Sequence, residues 1–139
     1  MRISKEVLGG RARILTKFKD IPKIAKEIGK INGVKAVYLF GSYARGEQGP
    51  LSDIDLCVIG DLSKKEKYKA LGWSSDNLDI VFFDMLPVYI KIRVFKEGKP
   101  LFVKNEEGIR RLALKTLAEY LDFKPAINRF CWETLKCTI

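Results

Sequence analysis

The 139-residue chain contains no histidine. This absence excludes serine and cysteine nucleophiles that a histidine activates, zinc sites with histidine ligands, and histidine general bases. Any catalysis must therefore depend on carboxylates, lysine, tyrosine or a bound metal ion.

Cysteines and long apolar runs are also scarce. Cys57, Cys131 and Cys137 show no Cys-x-x-Cys pairing, so we expect free thiols in a reducing compartment. No apolar run approaches the roughly 20 residues of a membrane span, and the N-terminal segment lacks the features of a signal peptide. These absences predict a cytoplasmic protein without a membrane partner, most simply a single domain over residues 1–139.

The net charge of +9 is unevenly distributed. Residues 1–35 carry ten Lys and Arg against three acidic residues, whereas residues 36–90 carry five against eight. A basic surface attracts the phosphates of a nucleotide or a nucleic acid, but a solvated lysine-rich surface explains most of these residues equally well. Since no RRM, KH or helix-turn-helix residues are recognisable, direct nucleic-acid binding is not expected.

Apolar spacing predicts an α/β (α+β) fold in which helices flank a small mixed central sheet. Strands are predicted at residues 34–40, 53–60 and 77–84, with an edge strand at 99–104. Helices are predicted at 20–33, with Asp20 as N-cap, at the start of 42–50, at 85–98 after Pro87, and at 105–123. Residues 62–72 are predicted to form either a polar helix or a loop.

The predictions for the C-terminal part concern packing. The helix at 105–123 is expected to place one apolar face inward, formed by Ile109, Leu112, Ala113, Leu117, Tyr120 and Leu121. Pro125 is expected to open a further helix. The aromatic residues Phe123, Phe130 and Trp132 are expected to pack in the core, or to form a partner surface if they are exposed.

The stretch YLFGSYARGEQGPLSDIDL, residues 38–56, places two aspartates inside an apolar strand. Because side chains alternate along a strand, Asp53, Asp55 and Cys57 share one face, where Cys57 is expected to be a small buried filler. Two neighbouring carboxylates repel each other and raise one pKa. A divalent cation removes this conflict, and oxygen-only ligands favour Mg²⁺.

Two further features extend this site. Asp79 lies inside another apolar strand, so three aspartates converge if the strands are neighbours, which is enough for one or two ions. Gly41 and Ser42 follow a strand and offer a close backbone approach, free N–H groups and a hydroxyl, which together form a phosphate seat. A phosphate seat beside a carboxylate metal site is what phosphoryl or nucleotidyl transfer requires.

Three basic residues leave alternatives open. Arg45 could reach the phosphates from its short helix or be a surface arginine. Lys91 and Arg93 could contact a nucleotide or form a solvated helix face.

The Gly-Ser pair, the ten-residue gap, the Asp-x-Asp pair and the third aspartate in LDIVFF resemble the DNA polymerase beta-like nucleotidyltransferase superfamily. Within it, the chain resembles the minimal nucleotidyltransferase (MNT) group, over about residues 20–104 and again at YLDF, 120–123. The resemblance implies the polymerase beta-like fold for that core, with a C-terminal helical extension over about 105–139.

The same resemblance implies roles for the motif residues. Gly41 and Ser42 would hold the nucleotide triphosphate, with Arg45 as a candidate phosphate ligand, and Asp53 and Asp55 would bind Mg²⁺. Asp79 would complete a metal site, expected to hold two ions, and help to deprotonate the acceptor hydroxyl. No motif position departs from the family pattern, so an active enzyme is expected.

MNT antitoxins neutralise HEPN-domain RNase toxins by transferring AMP from ATP to a tyrosine of the toxin. The resemblance therefore implies ATP as substrate and a HEPN-domain toxin as partner. Little chain follows residue 104 for a domain that binds the acceptor, so a separate protein or a second copy is expected to present it. The alternatives are a small-molecule transferase of the aminoglycoside type, an antitoxin that acts by occlusion alone, and a basic nucleic-acid module.

Overall fold

The structure is a computed structural model that describes residues 3–8, 11–49 and 52–135, with side chains described for residues 16–49 and 52–122. Its strands are β1 (Ile3–Leu8), β2 (Arg11–Thr16), β3 (Val34–Phe40), β4 (Ile54–Gly60), β5 (Leu78–Phe82) and β6 (Lys99–Val103). Its α-helices are α1 (Ile21–Gly29), α2 (Ser42–Arg45), α3 (Lys64–Leu71), α4 (Val88–Glu97) and α5 (Glu106–Leu135).

A four-stranded mixed sheet in the order β5-β4-β3-β6 forms the centre of the fold. β3 runs antiparallel to both β4 and β6, whereas β4 and β5 are parallel. The mixed sheet and the edge position of β6 confirm the predicted α/β architecture.

One face of the sheet is covered by α1. Its buried residues Ile21, Ile24 and Ile28 recur at helical spacing and pack against alternate residues of the strands, among them Val37 and Leu56. Burying each such side chain contributes about 1.5–3 kcal/mol, so this layer fixes the strands that carry the aspartates. Asp20 occupies the predicted N-cap position, but its side chain makes no capping hydrogen bond.

The opposite face packs against α4 and α5 through Val94 and Ile109. Cys57 is fully buried in this layer, and burial, together with the charge of Asp84, raises the pKa of its thiol to about 12. The thiol therefore stays protonated at neutral pH, which confirms that Cys57 is a structural filler.

The segment that could be a polar helix or a loop is the helix α3. Ser63 Oγ accepts a hydrogen bond from Glu66 N, and Glu66 Oε1 accepts one from Ser63 N, which forms a capping box. These hydrogen bonds lower the pKa of Glu66. Local capping therefore sets the start of a helix whose sequence is too polar for apolar spacing to reveal it.

The prediction of a separate helix at Pro125 is wrong, because α5 continues without a break from Glu106 to Leu135. A proline inside a helix removes one N–H donor and costs about 3 kcal/mol, a penalty that a long helix can tolerate. The predicted inward face of α5 is also only partly correct, since Ile109 is buried but Leu117 and Leu121 are exposed. The side chains of Phe123, Phe130 and Trp132 lie outside the described residues.

The hairpin of β1 and β2 was not predicted. Its strands pair in register from Ile3 with Thr16 to Leu8 with Arg11. Asn77 holds the end of β2, because its Oδ1 accepts a hydrogen bond from Thr16 N (2.6 Å) and its Nδ2 donates to Thr16 O (2.8 Å).

None of the helices in the described part of the chain has the length and apolar character needed to cross a bilayer.

Candidate active site

The Gly-Ser turn and the three predicted aspartates lie at the same end of strands β3, β4 and β5. β3 ends at Phe40 and leads into Gly41 and Ser42. Asp53 immediately precedes β4 and is exposed, whereas Asp55 is its second residue and is half-buried. In the sheet register Asp55 is paired with Phe40 on one side and with Asp79 on the other. The structure therefore places Asp55 between the Gly-Ser turn and the third aspartate.

Gly41 adopts a backbone conformation that other residues rarely reach, with φ of +77° and ψ of −155°. A Cβ atom at this position would collide with Asp55 Oδ2. The carboxylate of Asp55 therefore lies directly against the backbone of the turn, and only glycine allows this approach.

Asp55 is the electrostatic centre of the site. Burial, followed by the negative charges of Asp79 and Asp53, raises the pKa of Asp55 from 3.8 to about 6, while Arg45 acts in the opposite direction. Two neighbouring carboxylates and one guanidinium thus influence the proton of Asp55. Without a cation, the ionised form of Asp55 is destabilised by its surroundings.

The donor set fits a hard divalent cation such as Mg²⁺, since it consists of carboxylate oxygens whose mutual repulsion a cation would relieve. Within the described residues, no three carboxylate or thiolate groups stand close enough together to enclose an ion without rearrangement. Asp53 and Asp79 are exposed, and an ion shared with Asp55 would require their side chains to turn toward it.

The raised pKa of Asp55 predicts a pH-dependent stability change. In metal-free protein, folding favours protonated Asp55, so this group's stabilising contribution is complete below about pH 4 and is lost as the pH rises through about 6. Asp55→Asn removes that loss. With both proteins in EDTA, we expect the melting temperature of Asp55→Asn minus that of wild type to be larger at pH 7.5 than at pH 5, as measured by calorimetry.

Mg²⁺ should narrow this gap at pH 7.5, because the ion would stabilise wild type but not the variant. Asp61→Asn, which neutralises an exposed aspartate outside the site, controls for the loss of one negative charge. A difference between Asp55→Asn and wild type that is the same at both pH values would contradict the assignment.

Ser42 begins the short helix α2, as predicted. The amide N–H groups of Ala44 and Arg45 donate to Gly41 O (3.1 and 3.2 Å), whereas the first N–H groups of a helix have no partner within it. Arg45 ends α2, where its Nε lies 3.1 Å from Glu47 Oε2 and its Nη1 lies 3.5 Å from Glu97 Oε2. Arg45 is therefore paired with acidic residues beside the turn.

For Arg93 the sequence left open a nucleotide contact or a solvated helix face. The structure places it on the wall of a cavity next to the Gly-Ser turn, together with Ile90 and Glu97 of the same helix. These three residues have the spacing i, i+3 and i+7, which puts them on one face of α4. That spacing was the available signal, although a sequence alone does not show which face of α4 turns toward Gly41.

Comparison with known proteins agrees with this geometry. The family model of the nucleotidyltransferase domain matches residues 21–113, which include the Gly-Ser turn and all three aspartates. The chain belongs to the nucleotidyltransferase domain family. This membership confirms the resemblance inferred from the motif.

Two relatives of the nucleotidyltransferase domain come from Methanocaldococcus jannaschii, and both are named as candidate protein adenylyltransferases. One is 38% identical over 69 residues, which cover 50% of this chain and 56% of the relative. The other is 48% identical over 50 residues, which cover 35% of this chain and 58% of the relative. The chain thus spans a little over half the length of these relatives.

Solved structures share the fold. One chain of a toxin–antitoxin crystal structure with AMP-PNP aligns with a TM-score of 0.65 and 23% identity, over 86% of this chain and 98% of that one. A chain from a complex of a tri-AMPylated Shewanella oneidensis HEPN toxin with an MNT antitoxin aligns with a TM-score of 0.61 and 21% identity, over 86% and 95%. These likenesses confirm the polymerase beta-like fold.

Proposed function

We propose that this nucleotidyltransferase domain transfers AMP from ATP to a hydroxyl of a protein acceptor, a tyrosine of a HEPN-domain toxin, and so acts as an antitoxin in the cytoplasm. The observation that carries the proposal is the position of Asp55, which lies against the Gly41 turn and is paired in register with Asp79. The names of the two relatives support adenylyl transfer, and the complexes that contain the structural neighbours support a toxin partner.

The reaction requires an in-line displacement at the α-phosphorus of ATP. The acceptor hydroxyl oxygen forms a bond to this phosphorus, the bond to the bridging oxygen of the β-phosphate breaks, and pyrophosphate leaves. One or two Mg²⁺ ions held by Asp53, Asp55 and Asp79 would supply charge neutralisation for the triphosphate and for the attacking oxygen.

The chain's own residues provide the other functions. The backbone at Gly41 and the Ser42 hydroxyl hold the phosphates, and Arg45 attracts their negative charge. Asp79 is exposed, so it accepts the proton of an acceptor hydroxyl that approaches from solvent. Asp55, enclosed between the turn and β5, holds its position while the acceptor binds.

An apolar stripe on α5 supports a protein as the acceptor. Leu114, Leu117 and Leu121 follow helical spacing and are 63%, 41% and 56% exposed. A small-molecule acceptor would make no use of such a stripe, whereas a HEPN-domain partner could bury it.

The direct test is incubation of the purified chain with Mg²⁺ and ATP labelled at the α-phosphate, with and without a co-expressed HEPN-domain protein. We expect label on a tyrosine of the partner, detected by gel and mass spectrometry, and none when EDTA replaces Mg²⁺. Replacement of the modified tyrosine by phenylalanine should remove the label.

The alternatives give different results in the same assay. Label transferred to an added aminoglycoside but not to protein would favour a small-molecule transferase. Full neutralisation of the toxin without any label would favour occlusion.

A further inference from the structure

A cavity of about 240 Å³ lies between the Gly-Ser turn and α4. Two types of surface line it: Phe40, Gly41 and Ile90 are apolar or small, whereas Arg45, Arg93 and Glu97 are charged. Sites that enclose a whole drug-sized ligand have volumes of about 300–1,000 Å³. The cavity is therefore suited to part of a nucleotide rather than to all of it.

The two arginines of this cavity converge on one atom. Arg45 Nη1 lies 3.5 Å and Arg93 Nη2 lies 3.4 Å from the same oxygen, Glu97 Oε2. Each guanidinium carries five N–H donors. Arg93 pairs with Glu97, and Arg45 pairs with Glu97 and, through Nε, with Glu47, so each arginine keeps further donors for a ligand. Among the charged residues that line the cavity, two cations face one anion.

The apolar residues of the lining affect how strongly the two arginines attract a phosphate. Phe40 and Ile90 present apolar surface on one side of the cavity, and apolar surroundings strengthen the attraction of an arginine for a phosphate. A base or a ribose would not need two guanidinium groups, whereas phosphate oxygens pair with them in a bidentate geometry.

We infer that Arg93 is a second phosphate-binding arginine, which together with Arg45 holds the β- and γ-phosphates of the bound nucleotide. This inference depends on the proposed nucleotidyl transfer, because that reaction places the α-phosphate at the carboxylates. The remaining phosphates then extend from the Gly41 turn toward α4. Arg93 would also bind the pyrophosphate product before its release.

Glu97 competes with a phosphate for the guanidinium groups of Arg45 and Arg93. While no nucleotide is bound, it pairs with both guanidinium groups and holds them at the cavity wall. An incoming phosphate competes with this carboxylate for the guanidinium groups, and the two negative charges repel each other. Loss of the charge at residue 97 should therefore strengthen phosphate binding, which is the opposite of the effect of losing Arg93.

Isothermal titration calorimetry with pyrophosphate, and with ATP in the presence of Mg²⁺, tests the inference. Arg93→Ala should weaken both affinities by about tenfold or more, the typical effect of losing a charge-assisted hydrogen bond. Arg93→Lys should show an intermediate loss, because lysine keeps the charge but lacks the planar fork. Glu97→Gln should bind pyrophosphate several-fold more tightly than wild type.

A kinetic measurement adds a second readout. Arg93→Ala should raise the KM for ATP by a similar factor and change kcat less, since Arg93 is placed away from the reacting α-phosphorus. Arg110→Ala is the matched control, because Arg110 also forms a helical ion pair, 3.1 Å from Glu107, but lies on α5 outside the cavity.

The outcomes separate the two proposals. If wild type transfers AMP but Arg93→Ala binds pyrophosphate as Arg110→Ala does, the role of Arg93 is overturned and the proposed function stands. If Glu97→Gln weakens pyrophosphate binding, its role as competitor is overturned. If wild type binds neither pyrophosphate nor ATP, both the proposed function and the inference fail.

Discussion

Asp55→Asn should lower the rate of AMP transfer by about three orders of magnitude, an effect in the range of a lost metal or transition-state contact. Asparagine keeps the shape of the side chain but has no negative charge to hold a cation. Because Asp55 lies between the Gly41 turn and Asp79, no other described carboxylate can take its place. Transfer of label from ATP to the partner, followed over time, measures the loss.

Asp53→Asn should also be strongly impaired, and the double variant should be little worse than Asp55→Asn alone, since ligands of one metal site act as a unit. Asp61→Asn is the matched control, because Asp61 is 93% exposed and its only described ion pair is with Lys35. It should retain wild-type rates. Calorimetry at pH 7.5 verifies that each variant is folded, and a folded Asp55→Asn with full activity would overturn the assignment of the site.

Sequence patterns predicted the central strands because each is an apolar run long enough to be interior. They also predicted the conjunction of Asp53, Asp55 and Gly41, since an aspartate in an apolar strand needs a partner to offset its desolvation. The strand boundaries moved by only one or two residues, as at Asp53, which precedes β4. The family model that covers residues 21–113 confirms that the motif belongs to a nucleotidyltransferase domain.

Contacts between residues that are far apart in the sequence were harder to predict. The pairing of Asp55 with Asp79 depends on the register between β4 and β5. The alternation of side chains along a strand indicates only which residues of that strand lie on the same face. Leu117 is exposed although it follows the apolar spacing of α5, because that spacing does not show where along the helix packing partners are present. Pro125 shows a further limit, because a local rule predicts a break where a long helix continues.

The second large effect is expected at Gly41. Gly41→Ala introduces two costs: alanine rarely adopts φ +77° with ψ −155°, and its Cβ meets Asp55 Oδ2. The backbone cost alone is about 1–3 kcal/mol, and the collision must displace the carboxylate or the turn. We expect the free energy of unfolding to fall by about 2–4 kcal/mol, as measured by urea denaturation.

Activity should fall by about a hundredfold or more, because a displacement of about 1 Å at a reacting centre is enough for such a loss. Gly46→Ala separates the two costs. Gly46 also has a positive φ, +70°, but a Cβ there would meet nothing within 4 Å, so this variant should lose only about 1 kcal/mol and keep its activity. If both variants lose activity equally, strain in the short helix α2 explains the effect, and the contact between Gly41 and Asp55 does not. If only Gly41→Ala is inactive, that contact positions the carboxylate on which the transfer depends.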